Sequence, residues 1–408
     1  MRRVVITGRG GVSALGIGVP ALWEGLAAGR SGIRRVTVCD TSRLNNPVAA
    51  ELPTFEPTDY LTPEQALLVD RSTALALAAA AEAWAEAGLD LTDEQRERAG
   101  VMIGTGLGGA TWQDEGYRAL YELKLPRFHP FTIPRIMHNA SASHISMKYG
   151  LQGPTLCIST ACASASHAVG EAAEMIRSGR ADIVLAGGAD APLAPGVIKA
   201  WEGMRVLAPA GDDPSAACRP FSKDRQGLVL GEGAGVVILE ERERAMRRGA
   251  VIHGELAGYG ATADAAHITA PGVVSPVRAI RQAMEQAGVT TDQVDYVNAH
   301  GTATRLNDAT ETTVIKRVFG DRARTLAISS TKSMHGHMMG ASGAIELLAT
   351  LMAIERGIVP PTINYRQPDP ECDLDYVPNK AREMKVDVAI SNSFAFGGLN
   401  AVLVVRRA

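Results

Sequence analysis

Apolar, β-branched runs alternate with helical patterns rich in alanine, glutamate and arginine along the whole of this 408-residue chain. Short continuous apolar runs are typical of strands that are buried on both faces, as in sheets covered by helices. They predict strands at 4–7, 100–103, 155–159, 183–186, 235–240, 254–259, 296–299, 326–329, 388–391 and 401–405. The stretches between them predict helices at 22–28, 73–87, 164–178, 277–287, 308–319 and 343–356, with a short one at 61–69. The sequence therefore predicts an α/β fold.

The chain has no proline- or serine-rich linker, and its best internal boundary lies at 245–252, where a charged stretch ends and a new strand begins. We therefore expect two halves, 1–250 and 251–408. Each half has a strand that leads through a turn of small residues into an alanine-rich helix, at 157–178 and 328–356, which suggests a duplication. Segment 107–150 is rich in Tyr, Phe, His and Met, and we expect it to cover a cleft or another subunit.

Composition excludes several functional classes. The formal net charge is −3 and charged residues make up 21%, so no field favours nucleic acid or an anionic membrane. No apolar stretch approaches 18 residues, and Met1 to Arg3 lead directly into a strand, so we expect neither a membrane span nor a signal peptide. Five cysteines without CxxC spacing indicate a reducing cytoplasm rather than a disulfide framework or a zinc site.

Cys162 is the most informative of these cysteines. It follows the run 155–158, which reads as a short buried strand, and it precedes an alanine-rich helical pattern. A thiol at a helix N-terminus is close to unpaired N–H groups and to the positive end of the helix dipole, so we expect a lowered pKa. The same N–H groups could stabilise an oxyanion. Cys157, within the strand, is expected to be inert core; the remaining three lack catalytic context.

Two further segments supply imidazoles. His300 follows an apolar run and precedes a polar loop, while His337 lies between glycines at the start of a helix. Both would follow strands, so both could reach Cys162 at one edge of a sheet. Lys332 and Glu346 flank the His337 turn, and we expect them to form an ion pair that orients it. None of this chemistry requires a metal.

Other features have simpler interpretations. His335 is expected to be a structural neighbour of the site. Residues 104–109 match GxGxxG, but 110–116 is a poor helix start and no suitable acidic residue follows, so we do not expect a nucleotide site. Residues 231–235 are interpreted as glycines that allow close packing of strands.

Four motifs, in order, resemble those of the β-ketoacyl-[acyl-carrier-protein] synthases, the condensing enzymes of the thiolase-like superfamily. They are Thr-Ala-Cys-Ala-Ser at 160–164, Asn-Ala-His-Gly-Thr at 298–302, Lys-Ser-x-x-Gly-His at 332–337 and Asn-Ser-Phe-x-Phe-Gly-Gly at 392–398. The likeness covers essentially the whole chain and is strongest to the branch that elongates longer chains in dissociated fatty-acid or polyketide systems. His335 and the Phe-Ala-Phe sequence are also similar to nodulation-type and polyene-type synthases.

The resemblance implies a thiolase fold, with two similar halves in a five-layer α-β-α-β-α sandwich that functions as a dimer. It implies that Cys162 takes an acyl chain from a carrier protein, and that His300 and His337 bind malonyl thioester and stabilise its enolate. The products would be a 3-oxoacyl thioester and CO2. Phe396 would supply an oxyanion N–H and act as a gate. Substrates would arrive on phosphopantetheine, with no further cofactor.

The resemblance also implies substrate-binding residues: Thr302 and Thr304 on the phosphopantetheine arm, Thr269 and His267 at the mouth, Leu107 and Phe131 in the acyl pocket, and Phe394. Phe131 would lie near the dimer interface. Three departures stand out. Ala395 replaces a glycine between the phenylalanines, Leu399 replaces a threonine, and helix 64–70 lacks the basic residues that grip the acidic carrier. Carrier docking would then use Lys124, Arg127, Arg205 or Arg225.

Alternative functions remain at this stage. A thiolase would need a second cysteine near the C-terminus, and 394–400 contains none. A non-catalytic chain-length subunit would normally lack the thiol. The chain could instead be the catalytic half of a heterodimer with a subunit of that kind, because the apolar face at 66–69 would suit one. Its expected partners are therefore a carrier protein and either a second copy or a chain-length-factor-like homologue.

Overall fold

The computed structural model of the chain describes residues 2–408. Its strands are β1 Val4–Ser13, β2 Gly16–Ile17, β3 Ile33–Arg35, β4 Val48–Ala50, β5 Ala99–Gly104, β6 Thr155–Ile158, β7 Ile183–Asp190, β8 Leu230–Gly231, β9 Gly233–Glu241, β10 Gly254–Ala263, β11 Tyr296–Asn298, β12 Ala327–Ser329, β13 Ile358–Val359, β14 Arg382–Glu383, β15 Val388–Ala395 and β16 Leu399–Arg406. Each of the ten predicted strands is present, often longer than predicted, because the buried run continues past the last β-branched residue.

The α-helices also follow the predicted pattern. They are α1 Val19–Ala27, α2 Pro63–Ala66, α3 Arg71–Ala87, α4 Asp93–Glu97, α5 Ala110–Tyr121, α6 Thr132–Ile136, α7 Ala140–Tyr149, α8 Ser164–Arg177, α9 Pro195–Gly203, α10 Arg242–Arg247, α11 Val274–Ala287, α12 Arg305–Phe319, α13 Lys332–His335 and α14 Ser342–Arg356. Among residues 2–408, none of these helices is long and apolar enough to cross a membrane.

The main sheet consists of two five-stranded halves with the same pairing pattern, together with the short strand β2, which pairs with the end of β1. In the first half the order is β1-β9-β7-β5-β6, and in the second it is β10-β16-β15-β11-β12. Each half begins with two antiparallel pairings and ends with two parallel ones. The halves join through β1 and β10, where Val5 pairs with Glu255 and Ile6 with Gly254. This repeat of strand order is the architecture of a duplicated fold.

Helices cover the outer faces of the sheet, and two further helices pack between its halves on one side of the β1–β10 junction. Helix α3 packs on β1 and β9, α11 packs on β10 and β16, and α8 and α14 pack against each other between the halves. Small residues make that central contact close: a Cβ on Gly343 would lie 2.1 Å from the Oγ of Ser166. The result is the five-layer α-β-α-β-α arrangement of the thiolase fold, with the helix after Cys162 and the helix after His337 in its middle layer.

Four local predictions are wrong. Strand β6 is not buried: it forms an edge of the sheet, and Leu156 is 49% exposed. Cys157 is accordingly half-buried rather than core. Only Pro63–Ala66 of the predicted helix 61–69 is helical, because Asp70 already caps the next helix. Residues 110–116 do start a helix, α5, which follows directly from Gly109.

Segment 107–150 and strand β6 together form an apolar surface. Large side chains along them are exposed: Tyr117, Tyr121, Leu123, Leu125, Phe128, Phe131, Ile133, Met137, Met147 and Leu156. An exposed apolar area beside an unpaired strand edge is a typical feature of a protein–protein interface. The segment therefore has the character expected of a region that covers another subunit.

Candidate active site

Three side chains that are distant in sequence meet at one point. Cys162 follows β6, His300 follows β11, and His337 lies just after α13, beyond β12. The Sγ of Cys162 is 3.1 Å from the Nε2 of His337, and the two imidazole rings are 5.6 Å apart between centroids. All three side chains are buried. The folded chain thus brings Cys162, His300 and His337 together, as the sequence predicted.

A strained turn holds Cys162 at this point. Ala161 has a φ of +50°, in a region that side chains other than glycine rarely occupy. The Oγ of Ser164 accepts a hydrogen bond from the N–H of Thr160 and donates one to the carbonyl of Ala161. Helix α8 begins at Ser164, two residues after the thiol. The turn therefore holds the sulfur in contact with His337.

The expected lowering of the Cys162 pKa is not what the site produces. Burial raises the pKa of this thiol to about 11, although Lys332 and the backbone N–H of Phe396 act in the opposite direction. The helix N-terminus can be predicted from the sequence, whereas burial of the thiol depends on the whole fold, and burial is the larger effect here. Cys162 is therefore a thiol in the resting site, and it needs a base to become a nucleophile.

This pKa leads to a measurable pH dependence. Because only the thiolate reacts with iodoacetamide, we expect the alkylation rate of Cys162 to rise about tenfold per pH unit from pH 7 to pH 10. The rate is followed by peptide mass, since burial also raises the pKa of Cys157 and of Cys39 to about 11. A rate that levels off below pH 8 would show that the thiolate forms readily and that desolvation is not dominant.

Contacts to its backbone and to its ring hold His300 in place. The backbone N–H of His300 and the backbone N–H of Gly301 donate to the carboxylate of Glu311, each at 2.8 Å. The Nζ of Lys332 donates to the carbonyl of His300 at 2.7 Å and lies 3.4 Å from Nδ1 of the ring. Because an ammonium group has only donors, Nδ1 must be the acceptor and Nε2 carries the proton. His300 thus presents an N–H donor to the site.

The His337 ring has a different neighbour. Its Nδ1 lies 2.9 Å from the Oγ of Ser342, which also accepts the N–H of Met338. A hydroxyl group either donates or accepts, so His337 is able to carry its proton on either nitrogen. Burial, Lys332 and neighbouring imidazoles hold the pKa values of His300 and His337 well below their usual range. Both rings are therefore neutral at physiological pH.

Lys332 and Glu346 form the predicted ion pair, and both side chains are fully buried. Burial raises the pKa of Glu346 to about 7 even though Lys332 opposes the shift. The pair lies directly behind His300, because Nζ also contacts that residue. His335, next to this pair, uses both ring nitrogens on the carbonyl of Gly336 and the Oγ1 of Thr331. Its role as a structural neighbour fits these contacts.

Phe396 lies at the hairpin between β15 and β16, with its backbone N–H directed at Cys162. Its ring stacks on Trp201 of α9, with centroids 5.9 Å apart. Gly397 and Gly398 follow with φ values of +83° and +69°, which a hairpin of this kind requires. The N–H of Gly397 donates to the carbonyl of Ile268 at 2.7 Å, which ties the hairpin to the neighbouring loop.

A cavity of about 280 Å³ opens onto the sulfur and both imidazoles. Six other predicted site residues line it: His267, Thr269, Thr302, Thr304, Phe394 and Phe396. Leu107 and Phe131 do not line it; Leu107 packs in a separate cluster and Phe131 is exposed on the apolar surface. The prediction that Arg225 contributes to carrier docking is wrong, because its side chain is buried and paired with Asp369 and Asp308. The other three predicted docking residues, Lys124, Arg127 and Arg205, are exposed.

Four residues of the site were missed from the sequence: Glu311, Ser342, Trp201 and Asp190. Asp190 accepts hydrogen bonds from the N–H groups of Gly106, Leu107 and Gly340 and from Thr105, and burial raises its pKa to about 6. These bonds occupy backbone amides of the GxGxxG segment, so the amides are not free to bind a phosphate. This occupancy, rather than a poor helix start at 110–116, is the reason that the segment is not a phosphate loop. Ser342 could have been found from the sequence, because it lies only five residues after His337, at the start of the helix that follows.

The Sγ of Cys162 and one nitrogen from each of His300 and His337 lie within 4.8 Å of one another. Sulfur and imidazole donors at such separations are also the ligands that zinc prefers. Burial disfavours the thiolate form that a metal would need. As a set, the three groups combine a nucleophile with two neutral hydrogen-bonding rings, which is suited to thioester chemistry.

A thiol and two imidazoles at the centre of a duplicated five-layer sandwich define a thiolase-like acyl-transferring enzyme. Residues 1–245 match the family model of the β-ketoacyl synthase N-terminal domain, and residues 253–366 match that of the C-terminal domain. The chain belongs to the β-ketoacyl synthase family, and it is therefore a condensing acyltransferase. Residues 246–252 lie between the two matched regions.

Named relatives cover the full chain. Nodulation protein E of Rhizobium sp. (strain N33) is 48% identical over 408 residues, which span all of this chain and 99% of that protein. The 3-oxoacyl-[acyl-carrier-protein] synthase 2 of Coxiella burnetii is 43% identical, with 100% and 99% covered. The solved ishigamide ketosynthase/chain length factor superposes with a TM-score of 0.93 at 39% identity, covering 100% of this chain and 99% of that one.

Proposed function

We propose that the chain is a β-ketoacyl-[acyl-carrier-protein] synthase that condenses a Cys162-bound acyl group with malonyl thioester. The observation that carries the assignment is the 3.1 Å contact between the Cys162 sulfur and His337, with the N–H of His300 directed into the same cavity. The product is a 3-oxoacyl thioester on the carrier protein, in fatty-acid or type II polyketide synthesis. Phosphopantetheine carries both substrates, and the proposed steps use no metal.

Acyl transfer comes first. As Sγ of Cys162 attacks the thioester carbonyl, the neutral Nε2 of His337 accepts the thiol proton, which overcomes the high pKa of the buried sulfur. The negative charge on the carbonyl oxygen is stabilised by the backbone N–H groups of Cys162 and Phe396. The carbon–sulfur bond to the carrier then breaks, and the departing thiolate takes the proton from His337. The acyl group remains on Cys162.

Condensation follows in the same cavity. The bond between the malonyl α-carbon and its carboxylate breaks, CO2 leaves, and the electron pair forms an enolate. The enolate oxygen is stabilised by N–H groups of His300 and of His337, whose second tautomer Ser342 permits. The α-carbon attacks the acyl carbonyl, the bond to Sγ breaks, and the thiolate that leaves takes a proton that water supplies through His337. Neutral rings suit this step because each can donate an N–H hydrogen bond to the enolate oxygen without being protonated first.

Two alanine variants test this division of roles. We expect His300→Ala to form the acyl-enzyme at a near-normal rate but to lose condensation about 10²- to 10⁴-fold. His337→Ala should lose condensation and also form the acyl-enzyme more slowly, because the buried thiol then lacks its base. Intact mass follows the adduct and chromatography follows the product, with His144→Ala, outside the site, as the control. Normal condensation by either site variant would refute the enolate role.

Ala395 gives a test of the gate. Replacing it by glycine adds backbone freedom worth about 0.5–1 kcal/mol at the base of the Phe396 hairpin. We expect Ala395→Gly to increase the rate of acyl transfer to Cys162 a few-fold, because Phe396 then leaves its stack on Trp201 more easily. Rapid-mixing mass measurements give the rate. An unchanged or slower transfer in a variant of normal stability would show that the hinge lies in Gly397 and Gly398 alone.

The proposed partners are the carrier protein and a second chain of the same fold, either another copy or a chain-length-factor-like homologue. The apolar surface of segment 107–150 and the open edge of β6 support the second chain, because both need to be covered. Phe131 lies on that surface, so an acyl-pocket role for it would require the dimer. The proposed compartment is the cytoplasm, since all five cysteines are free thiols. Residues 1–250 and 251–408 are the proposed structural halves.

A further inference from the structure

A groove of about 600 Å³ runs along the outer surface of α11 and α12. We call it the arginine groove; its lining residues are Val274, Val277, Arg278, Arg281, Gln282, Glu285 and Arg317. The residues from α11 are spaced at i, i+3, i+4, i+7, i+8 and i+11, which places them on one face of the helix. Such a face is shaped to receive a second helix lying along it.

The charge of the groove is strongly one-sided. Arg278, Arg281 and Arg317 are all exposed, and within residues 2–408 none of them forms an ion pair. Glu285 is the single carboxylate of the groove. The acidic residues of α12 do not compensate, because Asp308 and Glu311 are buried and engaged elsewhere. A chain with net charge −3 thus concentrates unpaired positive charge on this face.

The arginine groove also begins close to the mouth of the catalytic cavity. Val274, exposed at its upper end, is three residues from Pro271, which lines that cavity, so the connecting chain spans at most about 11 Å. Helix α12 starts directly after Thr304, another lining residue. A protein bound in the groove would therefore lie beside the opening through which a tethered thioester must pass.

We propose that the arginine groove docks an acidic helix of the carrier protein. This inference rests on the proposed function, and it assigns the docking role to a surface that the sequence patterns did not indicate. Arg278, Arg281 and Arg317 pair with carboxylates of the carrier, while the exposed side chain of Val274 supplies the apolar contact. The arginine groove would thus supply the basic docking surface that residues 64–70 do not provide.

The test compares one charge reversal with a matched control. Arg278→Glu changes an exposed residue whose side chain forms no hydrogen bond within residues 2–408. Arg247→Glu makes the same change on α10, which packs on β1 and β9 and does not line the groove. With carrier-bound acyl and malonyl thioesters, we expect Arg278→Glu to raise KM about fivefold or more, with kcat nearly unchanged. Arg247→Glu should match the wild type. Added salt should raise the wild-type KM and have less effect on Arg278→Glu.

N-acetylcysteamine thioesters, which have no carrier, separate the possible failures. If the inference is right, wild type and Arg278→Glu use these small substrates equally well. If wild type condenses both kinds of substrate and Arg278→Glu keeps the wild-type KM for the carrier, the docking surface is wrong and the proposed function stands. If wild type condenses neither kind, the proposed function and the docking surface fall together.

Discussion

A Cys162→Ala variant is expected to form no acyl-enzyme and to lose condensation by about 10³-fold or more. The sulfur is the sole nucleophile that faces both imidazoles within the described chain, and alanine offers no atom to carry the acyl group. Some decarboxylation of malonyl thioester should persist, because the N–H donors of His300 and His337 remain. Intact mass reports the adduct, and released CO2 reports the decarboxylation.

Two other cysteines provide controls for this variant. Cys157→Ala and Cys218→Ala remove thiols of raised pKa that lie outside the cavity, so both should keep wild-type acylation. An acyl adduct on Cys162→Ala that disappears when a second cysteine is removed would assign the nucleophile elsewhere. Loss of all decarboxylation in Cys162→Ala would show that the two imidazoles do not stabilise the enolate independently of the sulfur.

Lys332→Met is expected to lower the free energy of unfolding by about 3–5 kcal/mol, because it leaves the buried carboxylate of Glu346 without its cation. Urea denaturation measures the loss. The effect should depend on pH. The pKa of Glu346 is already raised, so the folded state binds a proton that the unfolded state releases, and stability falls as pH rises through the folded pKa. Lys332→Met should raise that pKa further and therefore be more stable at pH 5.5 than at pH 8.

Matched variants separate the ion pair from simple loss of a lysine. Lys316→Met removes a partly exposed lysine that pairs with Asp373, and should cost about 1 kcal/mol or less. The double variant Lys332→Met/Glu346→Leu should recover most of the stability, because no buried charge remains. Activity should stay low in that double variant, since Lys332 also fixes the tautomer of His300. Full recovery of activity would remove Lys332 from the positioning role.

Much of the fold could be predicted because buried strands have a distinctive composition. Runs such as Ile183–Asp190 and Gly233–Glu241 contain little besides apolar and small residues, and each is central in the sheet. The same reasoning failed for β6, whose side chains are equally apolar but face outwards at an edge. Apolar composition indicates that a strand is covered, but it does not show whether the cover is the chain's own core or a second chain.

For the site, motifs located the three side chains that converge at the cavity, and the physical details came from the fold. The proximity of Cys162 to His337 follows from strands that pair only in the assembled sheet. The raised thiol pKa depends on burial from every direction, which no local pattern contains. Glu311 and Trp201 act through contacts with His300 and Phe396 that are defined by packing between elements. Arg225 is an example of the opposite error: its basic side chain predicted a surface role, but the fold buries it against Asp308 and Asp369.

Strand β1 has a consequence for the newly made chain. All ten of its residues, Val4–Ser13, are buried in the finished protein, yet its neighbours on either side are β9 and β10. Apart from the pairing of its last residues with β2, the first strand finds no hydrogen-bonding neighbour until more than half of the 408 residues have been synthesised. Contacts so distant in sequence slow folding and leave an apolar segment open to aggregation. Slower translation at reduced growth temperature, or added chaperone, should therefore improve the recovered yield more than any change at the surface.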